Sequence, residues 1–529
     1  MDRPSLTPVH VSPRARPLSP LPLPRILATR ASHPHSLSSF LKFTLFRPTF
    51  SGLKCPWPRD SVASLSEFEP QSAEQQSAAL GVRRLASFSP RASRYWNKVA
   101  ESEPLWRNLC RRKWSFCTFS HRCPGAQTWK QYFLKQTRQE RWMASAKPEN
   151  FVYKAAVGNL GILGPMAYLS GSGPTMDEEK SIICTVSSKR MLFAWDVQEG
   201  TMIWSSPVQQ SSIMHLATLP QMHLAFTVDL KGAIKVWNCR DEDTLATLIM
   251  SQACLSLEAF LTKDDPFLMV GTCEGDIYTL TVPELKTVSK VNAFKYRVDL
   301  LYCSPDKRWI FASGTHECIL PKVFFTECLL RPSEGRTPLS LSLPFSSCCR
   351  ACWAPRRTNR VTLMFQRDAL KKTGFTTLDL TTEGTGGRTF IQAREIASFL
   401  LPVHMESPIW MGVSDGNTIV FESGPYLFLV SISGHLLQRF EYHDKTICNL
   451  WVDSLHVLTT SVDDSLHVYM WEEEGRYPYL RSCCHLEHIG SDQTPSCYVP
   501  KAICDNKSIV CVVSRIRESS ILVMYSLNM

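Results

Sequence analysis

A five-residue segment returns along this chain with its letters changed and its pattern kept. It reads Leu192-Phe193-Ala194-Trp195-Asp196, then Ile234-Lys235-Val236-Trp237-Asn238, and near the end Val468-Tyr469-Met470-Trp471-Glu472. The first two tryptophans stand 42 positions apart. A repeat of this length holds one supersecondary unit. Such a unit cannot bury its own apolar faces and must stack against copies of itself. The repeat therefore excludes most compact folds before any single residue is considered.

The unit can be followed residue by residue. Residues 181–186 form a short apolar run, and a turn at 187–189 leads into Met191–Asp196. A second turn at Gln198-Glu199-Gly200 leads into residues 201–204. The next unit repeats this, with Leu224–Asp229, a turn at Leu230-Lys231-Gly232, and residues 233–238. Asp229 precedes its glycine turn, where its carboxylate can accept from nearby backbone N–H groups. Aligning the third strand of each unit gives anchors at Trp195, Trp237, Leu280, Phe325, Leu378, Val430, Trp471 and Tyr525. Four-stranded units at this period predict an all-β propeller. It has eight blades by this count, and seven if one degenerate unit is discounted. Trp195, Asp196, Trp237 and Trp471 are its structural anchors. The wider gaps predict loop insertions around 326–350 and 480–500. The last unit lacks a fourth strand at the end of the sequence. Residues 151–157 are available to supply it, which would close the ring and remove two free sheet edges.

The first 150 residues differ in kind. They carry a net charge of +15, whereas residues 151–529 carry −5. Residues 1–85 are rich in Pro, Ser and Arg, and repeated proline forbids a continuous helix or central strand. They are read as a disordered segment. Its basic charge is read as a solvated tail, so neither nucleic acid nor membrane is an expected partner. Helical spacing begins after Ser93. Ser102 is a candidate N-cap before Glu103 and Pro104, with Leu105, Trp106, Leu109 and Cys110 as the apolar stripe. Thr128 can cap a further helix from Trp129 to about residue 141, with Trp129, Tyr132 and Phe133 on one side. The boundaries read from this are 1–85 disordered, 86–113 a partial helical motif, 114–150 a helical linker and 151–529 the propeller.

Tyr95-Trp96-Asn97-Lys98-Val99-Ala100 followed by Glu103-Pro104-Leu105-Trp106-Arg107-Asn108-Leu109 resembles the second half of an F-box. An F-box followed by a propeller of this period resembles the F-box/WD-repeat family, over residues 90–529. The resemblance implies a substrate-recognition subunit of an SCF-type (Skp–cullin–F-box) ubiquitin ligase. In it Trp96, Val99, Leu105, Trp106 and Leu109 would meet the Skp-type adaptor, which joins a cullin scaffold, and the propeller would hold a client protein. The opening Leu-Pro helix of a complete F-box has no counterpart at 65–92, where Ser66-Glu67-Phe68-Glu69-Pro70 stands instead. A propeller scaffold without ligase coupling is the alternative.

No bond chemistry is expected of such a chain, and no P-loop or HExxH helix is present. No cofactor and no metal are expected: Cys110, Cys117, His121 and Cys123 lack the close cysteine pair of common zinc sites. Arg356, Arg357 and Arg360 form the one tight basic cluster of the repeat region, read as a solvated loop or as a contact for a phosphorylated client. The twenty cysteines form no disulfide framework. Free thiols of this kind are expected in the cytoplasm or nucleus.

Overall fold

The computed structural model describes residues 100–113, 128–156, 160–170, 181–262, 265–316, 319–333, 337–367, 372–385, 388–462, 465–472, 477–487, 497–515 and 519–528. The disordered reading of 1–85, and Trp96 and Val99, lie outside these residues.

Eight four-stranded antiparallel sheets follow one another along the chain. Blade 1 shows the plan, with strands Leu163–Ser170, Ile182–Ser187, Met191–Asp196 and Thr201–Ser205. All eight anchors fall in third strands, in order, so the count of eight holds. Blade 8 takes Cys497–Cys504, Ser508–Arg515 and Ile521–Leu527 from the end of the sequence, and its fourth strand is Phe151–Ala156. Phe151 pairs with Leu527 and Ala156 with Leu522, antiparallel, so the two ends of the ring are hydrogen-bonded to each other.

The core is a set of wedges, one between each pair of neighbouring blades. Trp237, Trp204, Leu192 and Cys184 fill the wedge between blades 1 and 2. Leu268, Leu280, Phe226 and Val236 fill the next. Trp195, Ile183, Val510 and Leu522 join blade 8 to blade 1. A sheet covered on both faces must be apolar at consecutive positions, which is why Ser465–Glu472 and Thr418–Ser423 show no alternation.

The insertions match the sequence expectation only in part: residues 332–333 and 337–339 are irregular chain, and 488–496 lie outside the described residues. Residues 326–330 form a short helix rather than a loop, but 348–350 already belong to the strand Cys348–Trp353. Residues 480–487 lie within the strand Tyr479–Glu487. The wide gap before Val430 comes from a long hairpin, Lys372–Thr385 with Arg388–Leu400, whose register runs from Gly374↔Leu400 to Thr385↔Arg388. Extra residues added in pairs lengthen a hairpin without changing its faces, so periodicity alone did not mark them.

Among the described residues, two longer helices precede the propeller. They are α1 (Glu103–Lys113) and α2 (Trp129–Ser145). The Thr128 hydroxyl accepts from Gln131 N at 3.2 Å while the Gln131 side chain accepts from Thr128 N at 2.9 Å, a reciprocal cap that fixes where α2 begins.

Candidate functional site

α1 and α2 form a hairpin with its own small core of Trp106, Cys110, Trp129, Tyr132 and Phe133. The Trp106 and Phe133 rings lie 5.3 Å apart. Trp106 Nε1 donates to Ala100 O at 2.6 Å, and Cys110 Sγ donates to Trp129 O at 3.7 Å. Glu103 accepts from Trp129 N at 3.2 Å, and Lys113 pairs with Glu140 at 2.5 Å. Leu105 and Trp106 are thus buried, and Leu109 is half-buried against the same core. The family resemblance placed these three at an adaptor surface. The structure turns Trp106 inward, onto α2. Cys117, His121 and Cys123 lie outside the described residues.

The hairpin is pinned to the propeller. Met143 and Ala146 enter the wedge between blades 7 and 8, beside Leu466, Cys484 and Val499. Gln136 Oε1 accepts from Asn506 Nδ2 at 3.1 Å, and Ala144 O accepts from Arg481 at 3.0 Å. Asn506 lies in the turn joining the first and second strands of blade 8. In an antiparallel sheet that turn shares an end with the third-to-fourth turn. One face of the ring therefore carries the helices, and the opposite face is made of second-to-third turns and blade-to-blade connections. That second face holds many exposed large apolar side chains: Ile162, Val208, Leu230, Val403, Ile409 and Tyr442, with Val403 78% exposed.

The arginine cluster is not on that second face. Residues 354–359 join the first two strands of blade 5, on the helical side. Arg360 is buried and clasps Asp379 through two bonds of 2.6 Å, with Asn417 on its remaining nitrogen. Arg356 N donates to Asp415 Oδ1 at 2.5 Å and its guanidinium lies 3.4 Å from the same carboxylate. Arg357 alone is exposed. Two of the three are committed to carboxylates within the fold, which an incoming phosphate would have to displace.

Trp195 Nε1 donates to Thr185 Oγ1 at 3.0 Å and Trp237 Nε1 to Thr227 Oγ1 at 2.9 Å. Thr185 pairs with Phe193 and Thr227 with Lys235, so each tryptophan stands two residues beyond the threonine's partner. In blade 7 Thr459 pairs with His467, which puts Tyr469, not Trp471, in that position. The alignment on Trp471 was two residues out of register. Its Nε1 instead donates to Asp453 O at 3.1 Å. Asp196 accepts from Glu199 N at 3.0 Å, holding the turn that ends in Gly200. Asp229 Oδ1 accepts from Lys231 N and Ala233 N, each at 2.9 Å, as its place before a turn implied.

Two further short spacings have the form of reactive or metal-binding motifs. Gly412-Val413-Ser414-Asp415-Gly416 has the GxSxG form. It lies in a strand–turn–strand, where Ser414 Oγ meets Thr418 Oγ1 at 2.5 Å, not in the strand-to-helix elbow that exposes a nucleophile. Cys349-Arg350-Ala351-Cys352 has the CxxC form. On a strand, residues three apart face opposite sides, and the two thiols bond different carbonyls, Ser347 O and Met411 O. The carboxyls of Glu258 and Glu422 are pushed up to about 7, chiefly by burial. Both serve as staples: Glu258 accepts from Cys303 N at 3.2 Å, and Glu422 from Ile409 N at 2.6 Å and Trp410 N at 3.1 Å.

Comparison with known proteins agrees with this architecture. No family model matches the chain. The chain is 58% identical over 437 residues to the human F-box/WD repeat-containing protein 12, covering 82% of this chain and 94% of that protein. It is 39% identical over 435 residues to the mouse F-box/WD repeat-containing protein 15, covering 82% and 93%. The chain belongs to the F-box/WD-repeat family. Among solved structures, Chaetomium thermophilum Sqt1, bound to the N-terminus of ribosomal protein L10, superimposes with a TM-score of 0.50 at 13% identity over 72% of this chain and 99% of that one. That likeness concerns the fold alone. In this family member the α1–α2 hairpin directly precedes the eight-bladed ring.

Proposed function

We propose that this chain is the client-recognition subunit of an SCF-type ubiquitin ligase. The helical hairpin faces a Skp-type adaptor and its cullin, and the exposed propeller face takes the client protein. The observation that carries this reading is the separation of the two parts. The hairpin is pinned to one face by Met143, Ala146, Gln136 and Ala144. The other face keeps apolar side chains such as Val208, Leu230 and Ile409 in solvent. Exposed apolar side chains on this face are available for contact with a protein partner. A rigid hairpin fixes the distance between partner and client. The chain itself supplies a platform and no reacting group. A cytoplasmic or nuclear location belongs to the same proposal, supported by fifteen free thiols among the described residues.

The second reading, a scaffold without ligase coupling, is favoured by one observation: Trp106 is spent on the hairpin's own core and Leu105 is buried. Affinity capture of the full chain, with proteasome and neddylation blocked, distinguishes the two. Adaptor, cullin and enriched clients together support the ligase. Clients without adaptor or cullin support the scaffold. Leu230→Asp with Ile409→Asp should remove clients and leave adaptor in place; loss of neither sinks the face assignment.

A further inference from the structure

Beneath the hairpin, three potential metal ligands from three places in the sequence meet between blades 7 and 8. Asp453 lies in the turn after Ile447–Val452, His456 opens the strand His456–Ser461, and Cys504 closes Cys497–Cys504. His456 Nδ1 lies 3.2 Å from Asp453 Oδ2, and Cys504 Sγ lies 3.7 Å from the same oxygen. The ligand atoms of all three lie within 4.8 Å of one another.

Hydrogen bonding alone accounts poorly for this arrangement. Two donors crowd one carboxylate oxygen, and the imidazole–carboxylate contact exceeds the ~2.7–2.9 Å of a good charge-assisted bond. His456 is fully buried, yet its second ring nitrogen, Nε2, has no hydrogen-bond partner. Nδ1 is therefore the ring atom that faces the cluster. Two of the three separations also lie near those of metal ligands, and the third is within 4.8 Å. Ligands at about 2.0–2.3 Å from a tetrahedral zinc ion stand about 3.3–3.6 Å apart. Thiolate, imidazole and carboxylate together favour a borderline-soft divalent cation over calcium or magnesium.

We propose that Asp453, His456 and Cys504 form a binding site for a borderline-soft divalent cation, zinc above all, which ties blade 7 to the closing blade 8. His456 binds through Nδ1, its ring proton passing to Nε2, Asp453 contributes one oxygen, and the Cys504 thiol gives its proton to solvent as the sulfur–metal bond forms. Asp453 remains partly exposed, with its side chain 30% accessible, and leaves a way in for the ion and a water as fourth ligand. No sequence pattern announced the site, since His456 and Cys504 are 48 residues apart and meet only because neighbouring blades stack.

The test uses the purified full chain, kept reduced and freed of metal with a chelator. Zinc is titrated against a chromophoric competitor, and cobalt is then used as a spectroscopic probe. The wild type should take up one tight equivalent of zinc that is missing from Cys504→Ser, and zinc should raise the unfolding midpoint of the wild type only. Cobalt should give tetrahedral visible bands with a sulfur-to-cobalt charge-transfer band, lost in Cys504→Ser and in His456→Gln. If Cys504→Ser fails to fold, Asp453→Asn keeps the turn's acceptor oxygen, removes the charge, and should weaken zinc at least tenfold. Equal zinc uptake by wild type and variants, or a cobalt spectrum without the sulfur band, overturns the proposal.

Discussion

Replacing Trp237 with alanine tests the wedge architecture most directly. The side chain is 2% exposed and sits between blades 1 and 2. Its ring meets Trp204 edge-on at 5.7 Å, and its Nε1 bonds Thr227 Oγ1 at 2.9 Å. Truncation removes the ring from the wedge and strands a buried hydroxyl. Large aromatic-to-alanine changes in cores cost roughly 3–5 kcal/mol. Trp237→Phe keeps most of the ring and loses the N–H, so it should cost about 1–3 kcal/mol, the range for an orphaned buried polar group. Ile249→Ala is the control: it lies in the same blade, is 76% exposed, and should stay within about 0.5 kcal/mol. Unfolding midpoints of the full chain in urea rank the three. If Trp237→Ala unfolds no earlier than Ile249→Ala, the wedge reasoning and the blade register behind it fail.

Other outcomes follow from the same geometry. A chain beginning at residue 157 lacks the strand that closes blade 8; it should unfold earlier and associate through the bared edge of Ile521–Leu527, read by size-exclusion chromatography against a chain beginning at 147. The half-buried Glu258 has a folded pKa raised to about 7 against about 4.3 unfolded. Its stabilising contribution is therefore complete below the unfolded value and lost as pH rises through 7, so Glu258→Gln should gain about 2 kcal/mol on the wild type between pH 5 and 8; denaturant midpoints at the two pH values check the sign. Arg360→Met leaves Asp379 without its clasp and should destabilise by about 2–4 kcal/mol, whereas Arg357→Ala should move the melting midpoint little; the reverse order would mean that Arg360 is held for a ligand rather than for the fold.

The strand units, the eight third-strand anchors and the closure by residues 151–156 were legible in the sequence because each follows from local pattern: period, turn residues and the need to pair a free edge. The start of α2 was legible in Thr128 for the same reason, since a cap and its partner lie three residues apart. What the pattern missed depends on register and partners. Tyr469 replaces Trp471 because a third strand two residues longer shifts which side chain stands beyond Thr459. Trp106 is an adaptor contact by resemblance, yet Phe133, 27 residues away, packs against its ring. Arg356 and Arg360 read as a free basic cluster, yet their carboxylate partners come from another strand and another blade.

The amino-acid sequence by itself determined that this chain builds stacked four-stranded units, because period and alternation are properties of neighbours along the chain. Only the tertiary structure decided which face carries the hairpin, which arginines are already paired, and that Asp453, His456 and Cys504 meet. Those are distances between blades. A ring brings together residues that no local spacing relates.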